Sequence, residues 1–530
     1  MEQLTTPPGD RSPAAQALAA IAAPAPLGGA AAWRTLTVAS LAILATFMDA
    51  TILFVAFEDI GRSFPTVSAP TLAWVLNGYT ITFAALLVPA GKLSDRVGHK
   101  RAFLVGSGLF TLASVACAVA PAAGVLVAFR VVQAVGAALL VPSSLALVLR
   151  AFPREQIPVA VAVWGAMGAV AGALGPTLGA TLVEFADWRW AFLINVPVGL
   201  VTVVVGLRVL NESRDPTSRV PSLVGVVLIA AAAGLASLAL LQADSWGWLD
   251  RRTAAAFLGG MALLAVFVAH QRRTRAPALD LELFALHNYR WANAAALTFG
   301  VAFTAMFFGS ILFLTNVWGW SILQAGLGVS PGPLLVAATA PMFGRIAART
   351  GQRPLLLIGG VLFATSGVWR LLVLDGEPSY VTDYLPSILF SGLGVAMTVP
   401  QHASVVAQSL PSNRLGVGGA ANQALRQFGG TFGVALTIGF LGQPASLEQA
   451  LTRFDQVWWV LVAGGLVSAL LASRLRTRPV ALDVAAPEVA PPAVAPSVTV
   501  EVGDGAIDLA EVGSGLRVVE PTPSGTADAD

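Results

Sequence analysis

Gly91-Lys92-Leu93-Ser94-Asp95-Arg96-Val97-Gly98-His99-Lys100-Arg101 lies between two long apolar runs. It holds both lysines of the chain, two arginines and an aspartate, in a protein that is only 11% charged. A loop this basic between two membrane spans belongs on the cytoplasmic side, because Lys and Arg resist translocation.

The composition supports a membrane protein. The chain has 530 residues, 56% of them hydrophobic, and a mean hydropathy of +0.75. Soluble domains are about 45–50% apolar and about 25% charged. Cys117 is the single cysteine, so no intrachain disulfide can form. The N-terminus lacks the short apolar core and cleavage site of a signal peptide, so the first span is expected to be retained. Residues 479–530 carry nine acids against Arg517 as the one base. Rich in Pro, Ala, Val and Gly without a sustained period, this tail is expected to be disordered.

A helix needs about 20 mainly apolar residues to cross a bilayer. Fourteen stretches qualify, near 36–56, 71–91, 102–120, 123–149, 158–183, 190–210, 223–242, 253–271, 292–316, 325–346, 354–374, 383–408, 416–441 and 455–475. Continuous apolar runs exclude a membrane barrel, whose strands alternate. With both termini cytoplasmic, the inner segments hold 22 Lys and Arg, and the outer ones only Arg62, Arg189, Arg251, Arg252 and Arg453. That bias sets the topology and favours an even number of spans.

The chain also repeats. Gly344-Arg-Ile-Ala-Ala348-Arg349-Thr-Gly351-Gln-Arg353 echoes the first loop at an offset of 253, and Gly429 and Gly433 follow Gly175 and Gly179 at 254. Two related six-helix halves are expected, spans 1–6 and 9–14, with spans 7–8 inserted. The organisation read from this is an N-terminal segment (1–35), a six-helix bundle (36–210), an inserted pair with its linker (211–290), a second bundle (291–475) and the acidic tail (476–530). Parallel repeats are used by transporters to alternate access around a midplane site.

Ionisable groups inside a span are costly and mark function. Asp49 in span 1 and Arg130 in span 4 each lie about seven residues, roughly 10 Å, from the expected outer end. At matched depth they can pair or share a proton-dependent network. A carboxylate whose proton affinity changes as its surroundings open and close couples proton flow to movement. A static pair holding helices together is the alternative. In span 13, Asn422 and Arg426 are four apart and share a face. With Gln423 and Gln427 they form a stripe that lipid should not see. Gln133 joins Asn422, Arg426 and Gln427 as polar groups expected on a cavity wall or a helix interface. Arg370, near an outer end, is expected to snorkel, and Glu58 and Glu184 to be solvated. His402 is expected to be a hydrogen-bonded helix residue. In the loop, Asp95 has Ala348 as its counterpart in the repeat. It can latch the halves by pairing with bases or a helix N-terminus, or the loop serves topology alone. Gly165, Gly168, Gly172, Gly175 and Gly179 give span 5 a smooth packing groove, and Pro176 permits a kink.

These motifs resemble the fourteen-span drug:proton antiporters of the major facilitator superfamily, over roughly residues 36–475. The loop matches Gly-x-Leu-x-Asp-Arg-x-Gly-x-Lys-Arg through Gly91, Asp95, Arg96, Gly98, Lys100 and Arg101. Span 1 matches at Asp49, Thr51, Ile52, Val55 and Ala56, departing at Phe54, Phe57 and Glu58. Span 4 matches at Arg130, Gln133 and Gly136, with Ala134 a departure. Span 5 carries Gly175, Pro176 and Gly179, and Trp188-Arg-Trp-Ala-Phe-Leu-Ile-Asn195-Val-Pro-Val-Gly199 resembles the opening of the sixth span. The resemblance implies an all-α polytopic fold of fourteen helices (6 + 2 + 6). It implies proton coupling at Asp49 and Arg130, a latch in the loop, and antiport through the Gly-Pro helix.

The expected function is proton-driven export of a lipophilic drug or other small organic molecule across the plasma membrane, without a cofactor or nucleic-acid partner. The departures near Glu58 bear on the substrate, and Glu58 itself is a candidate attractor of cations. Uptake or facilitated diffusion of a metabolite is the alternative among transporters. An embedded enzyme finds no catalytic or metal-ligand spacing, with His99, His270, His287 and His402 scattered. ATP-driven pumping lacks a Gly-x-x-x-x-Gly-Lys-Ser/Thr loop. A transport-dead sensor would have lost Asp49, Asp95 and Arg130.

Overall fold

In lipid, an apolar run can satisfy its backbone only within a helix or a closed barrel, and here the runs become helices. The computed structural model describes residues 29–153, 156–214, 220–274, 276–411, 414–477, 500–501 and 506–507. The long helices of the first half are α1 (Ala30–Ser63), α2 (Ala69–Val97), α3 (His99–Ala118), α4 (Ala123–Ala151), α5 (Ile157–Phe185) and α6 (Trp190–Val209). Then come α7 (Leu223–Leu241) and α8 (Arg251–Arg273). The last six are α9 (His287–Asn316), α10 (Ile322–Thr350), α11 (Gln352–Val373), α12 (Tyr380–Gln408), α13 (Leu415–Leu441) and α14 (Leu447–Ala472).

Thirteen of these are long and apolar enough to cross a membrane. The expected fourteenth, α13, has 27 residues, but its Asn422, Gln423, Arg426 and Gln427 dilute its hydropathy. α1 also differs from expectation. It runs to Ser63 rather than ending near 56, so Asp49 sits deeper and Glu58 remains inside the helix. The expected N-terminal segment (1–35) and acidic tail lie largely outside the described residues. Within the tail, Val500–Glu501 pairs antiparallel with Ala506–Ile507.

The pairings of one half recur in the other. α3 packs on α4 and α1 on α5, as α11 packs on α12 and α9 on α13. The close approaches recur too. A Cβ at Gly136 of α4 would meet Gly106 O of α3 at 2.8 Å, and one at Gly394 of α12 would meet Gly359 O of α11 at 2.8 Å. Gly98 (φ 119°) and Gly351 (φ 82°) break the chain at equivalent loops. This region of the φ/ψ map favours glycine. The halves meet where α2 packs on α13 and α5 on α10.

The inserted pair lies against that seam, with α7 packed on α2 and α13. At one end it grips the second half: Asp244 pairs with Arg453 at 2.8 Å, and Trp248 stacks on Phe440 at 4.8 Å. At the other, the segment after α8 accepts from the first loop, with Lys92 Nζ donating to Pro277 O at 3.0 Å.

Overpacking a close helix contact costs about 1–3 kcal/mol. Gly136→Ala on α4 puts a methyl 2.6 Å from Phe110 N of α3, whereas a Cβ at Gly108 of α3 meets nothing within 4 Å. Thermal unfolding in detergent should show a clear drop for Gly136→Ala and little change for Gly108→Ala.

Candidate functional site

Asp49 is set far from both ends of α1, and its carboxylate is wholly buried. Burying a charge is tolerable only when it is paired and hydrogen-bonded, and the first half supplies both. Arg130 Nη1 of α4 donates to Asp49 Oδ2 at 2.6 Å. Gln133 Nε2, one turn along α4, donates to Asp49 Oδ1 at 2.9 Å, and Asn195 Nδ2 of α6 donates to the same oxygen at 2.8 Å. Ser114 Oγ of α3 accepts from Gln133 and Asn195 at 3.2 and 3.1 Å. Arg130 Nη1 also donates to Gln133 Oε1 at 2.7 Å and Nε to Val75 O of α2 at 3.2 Å. The Tyr79 ring lies 4.0 Å beneath the guanidinium. One carboxylate thus joins α1, α4 and α6 directly, and α2 and α3 through its partners.

The sequence reading set Asp49 and Arg130 at matched depth, and they are in contact. Gln133, expected on a cavity wall or interface, lies between α4, α1 and α3 within this network and is 0% exposed. Asn195, Ser114 and Tyr79 carried no role in the sequence reading. Asn195 stood in a quoted motif, but an uncharged amide in an apolar run gives no sign of a partner 146 residues away.

In the loop between α2 and α3, Ser94 Oγ and His99 Nδ1 are 2.8 Å apart, and His99 Nε2 lies 3.5 Å from Asp95 Oδ1. Glu212, also missed, accepts from the backbone N–H of Lys100 and Arg101 at 3.1 and 3.2 Å. It occupies the N-terminus of α3, where the helix dipole favours an anion. A Cβ at Gly98 would collide with that carboxylate. Lys100 Nζ donates to Leu207 O near the end of α6 at 2.9 Å. These loop contacts run to the first half's own linker and, through Lys92, to the inserted pair's linker.

Two outer-end expectations need correction. Arg370 does not snorkel: it is 0% exposed. It donates to Ser387 Oγ at 3.1 Å and Ser310 Oγ at 2.7 Å, with Trp458 4.7 Å and Tyr384 5.4 Å away as ring partners. The aromatic walls of α12 and α14 close over it. Glu58 is not freely solvated either, because its helix continues past it. It accepts from Thr315 Oγ1 of α9 at 2.6 Å. Together with Asp244, Arg62, Gln242 and Asn316 it lines a cavity of about 720 Å³ at that end.

Glycines of the expected antiporter helix meet α1. A Cβ at Gly175 would collide with Thr51, and one at Gly179 with Ile52. Gly168 faces Phe47 at 3.7 Å, while a Cβ at Gly172 would meet open space. Pro176 lies against α10: its carbonyl is 2.9 Å from a Cβ built on Gly326, and Thr177 bonds Ser330 at 2.7 Å. In the α13 stripe, Asn422 Nδ2 donates to Asn293 Oδ1 of α9 at 2.9 Å. Arg426 and Gln427 are half-buried.

A profile described as the Major Facilitator Superfamily matches residues 39–434 and 294–498. The chain belongs to the major facilitator superfamily. It is 30% identical over 407 residues to the tetracenomycin C resistance and export protein of Streptomyces glaucescens, covering 76% of this chain and 75% of that one. It is 32% identical over 422 residues to the multidrug resistance protein Stp of Mycobacterium tuberculosis, covering 79% and 78%. Among solved structures, a peptide transporter POT in complex with sulfate superposes with a TM-score of 0.61 at 16% identity, covering 86% of this chain and 98% of that one. At that identity the likeness is one of fold.

Removing one partner of a buried ion pair costs about 3–5 kcal/mol, because a charge is stranded. Arg130→Ala should therefore lower thermal stability in detergent much more than Asn195→Ala, which leaves Asp49 its guanidinium. Arg130→Ala combined with Asp49→Asn should recover part of the loss.

Proposed function

We propose that the chain is a proton-driven exporter of small organic molecules, working by alternating access in the plasma membrane with both termini cytoplasmic. The observation that carries this reading is the Asp49 network. It supplies a carboxylate, buried within the bundle, whose partners sit on α4 and α6. Protonating Asp49 would cancel its charge and weaken three hydrogen bonds at once, loosening α1 from those helices. Charge-assisted bonds are roughly twice as strong as neutral ones, so proton occupancy is a strong lever on helix position. Arg130 serves as the resident counter-charge that takes the place of the lost proton.

The relatives' names, resistance and export, support efflux rather than uptake. In this reading the loop residues Gly91, Asp95, Arg96, Gly98, Lys100 and Arg101 form a conformational latch on the cytoplasmic face. The groove of Gly168, Gly172, Gly175, Pro176 and Gly179 is the surface on which α5 moves against α1 and α10. Contacts across the seam at the end away from the loops support an inward-open form. They include Glu58 with Thr315, Thr177 with Ser330 and Phe57 with Phe308. Toward the loops, Gly165, Ala166, Ala337 and Ala338 are exposed. The chain is proposed to act as a transporter and not an enzyme.

In everted membrane vesicles, lipophilic dye should move only under an imposed pH gradient. Asp49→Asn should abolish the gradient-dependent part, by about a hundredfold or more if one buried charge controls coupling. Movement without a gradient, or full coupling in the variant, rejects the mechanism.

A further inference from the structure

The interior of the second half is positively charged and holds no deep carboxylate among the described residues. Its two inward guanidinium groups are Arg370 and Arg426. Arg370 is sealed off by serines and rings. Arg426 is different. It lies in the stripe of α13 and makes no hydrogen bond or ion pair with a described residue, yet it keeps part of its surface open. A guanidinium within a bundle cannot shed its proton, and buried charges are normally paired. No counter-charge pairs with it among the described residues.

Other groups beside it also lack partners. Gln423 Nε2, one turn before Arg426, is buried without an acceptor. So is His402 Nε2 on α12, whose ring is 2% exposed and lies within electrostatic reach of Arg426. Gln423 Nε2 and the guanidinium are donors, and His402 Nε2 is one in the matching tautomer.

The carboxylates are already engaged. Both oxygens of Asp49 are bonded and the residue is wholly buried. Glu58 accepts from Thr315, and Asp244 pairs with Arg453. Among the described residues a cationic substrate would find no unengaged carboxylate deep in the seam, whereas an anionic one would find Arg426.

We propose that the second half binds a carboxylate-bearing organic anion through Arg426, with Gln423 and His402 as flanking donors. This gives the exported molecule a charge and rests on the export reading above. Asn422 is held by Asn293, which fixes the stripe and leaves Arg426 to aim at the ligand.

The purified full chain in detergent can be titrated with fluorescein, a carboxylate-bearing anion, and with a rhodamine ethyl ester of similar size and fixed positive charge, reading fluorescence polarisation. Fluorescein should bind at least about tenfold tighter, the worth of one charge-assisted hydrogen bond. Arg426→Gln should remove that advantage, and Arg426→Lys should restore part of it. Equal or tighter binding of the rhodamine ester, no fluorescein binding, or unchanged fluorescein affinity in a well-folded Arg426→Gln chain overturns the proposal. The two-dye comparison on the unaltered chain does not depend on any variant folding. Everted vesicles test export separately. Fluorescein that binds but is not carried supports the anion site and sinks export. Rhodamine export unaffected by Arg426→Gln upholds export and sinks the anion site.

Discussion

A charge inside a lipid-embedded bundle has no water to turn to, so every neighbouring helix becomes answerable to it. Asp49 meets this demand with three side-chain donors on two other helices. Those donors are in turn tied to Ser114 and to the Val75 carbonyl. The first half is thereby organised around a polar centre rather than by apolar packing alone, which in lipid discriminates poorly between one helix pairing and another. Losing Arg130 would strand the Asp49 charge, whereas losing one amide donor would leave it paired, so the members of the network contribute unequally.

The second half keeps the same helix plan with a different charge at its centre. Where Arg130 of α4 pairs with Asp49 in the first half, Arg370 of α11 in the second half donates to the Ser310 and Ser387 hydroxyls instead. The backbone correspondence survives because it is set by glycine. Gly106 with Gly136, and Gly359 with Gly394, bring their helices to backbone contact in each half. Shape was duplicated, and chemistry diverged within it.

Much of this was legible in the chain. The apolar runs gave the helices, the spacing of Gly91–Arg101 and Gly344–Arg353 gave the duplication, and the rarity of charge drew attention to Asp49 and Arg130. What the chain hid is what depends on lateral neighbours. Asn195 and Ser114 look like ordinary polar interruptions until α6 and α3 are placed beside α1. Arg370 looked like a snorkelling residue because it lies near a helix end, and only the rings of Trp458 and Tyr384 reveal that its path to water is closed. Glu58 was misjudged because α1 continues to Ser63, which turns a presumed edge into an interface. Glu212 was invisible because its partners are main-chain N–H groups.

The inserted helices have a consequence beyond their contacts. A single extra crossing between the halves would deliver the second one upside down, and its glycine contacts with the first would be lost. Two crossings return the chain to the face it left. The junction between the halves is therefore a slot where the gene can lengthen by pairs without redrafting either flank. Asp244 and Lys92 fasten the pair with one polar tie at each end. Parity, rather than any particular side chain, is what lets two helices stand at this junction without inverting the second half.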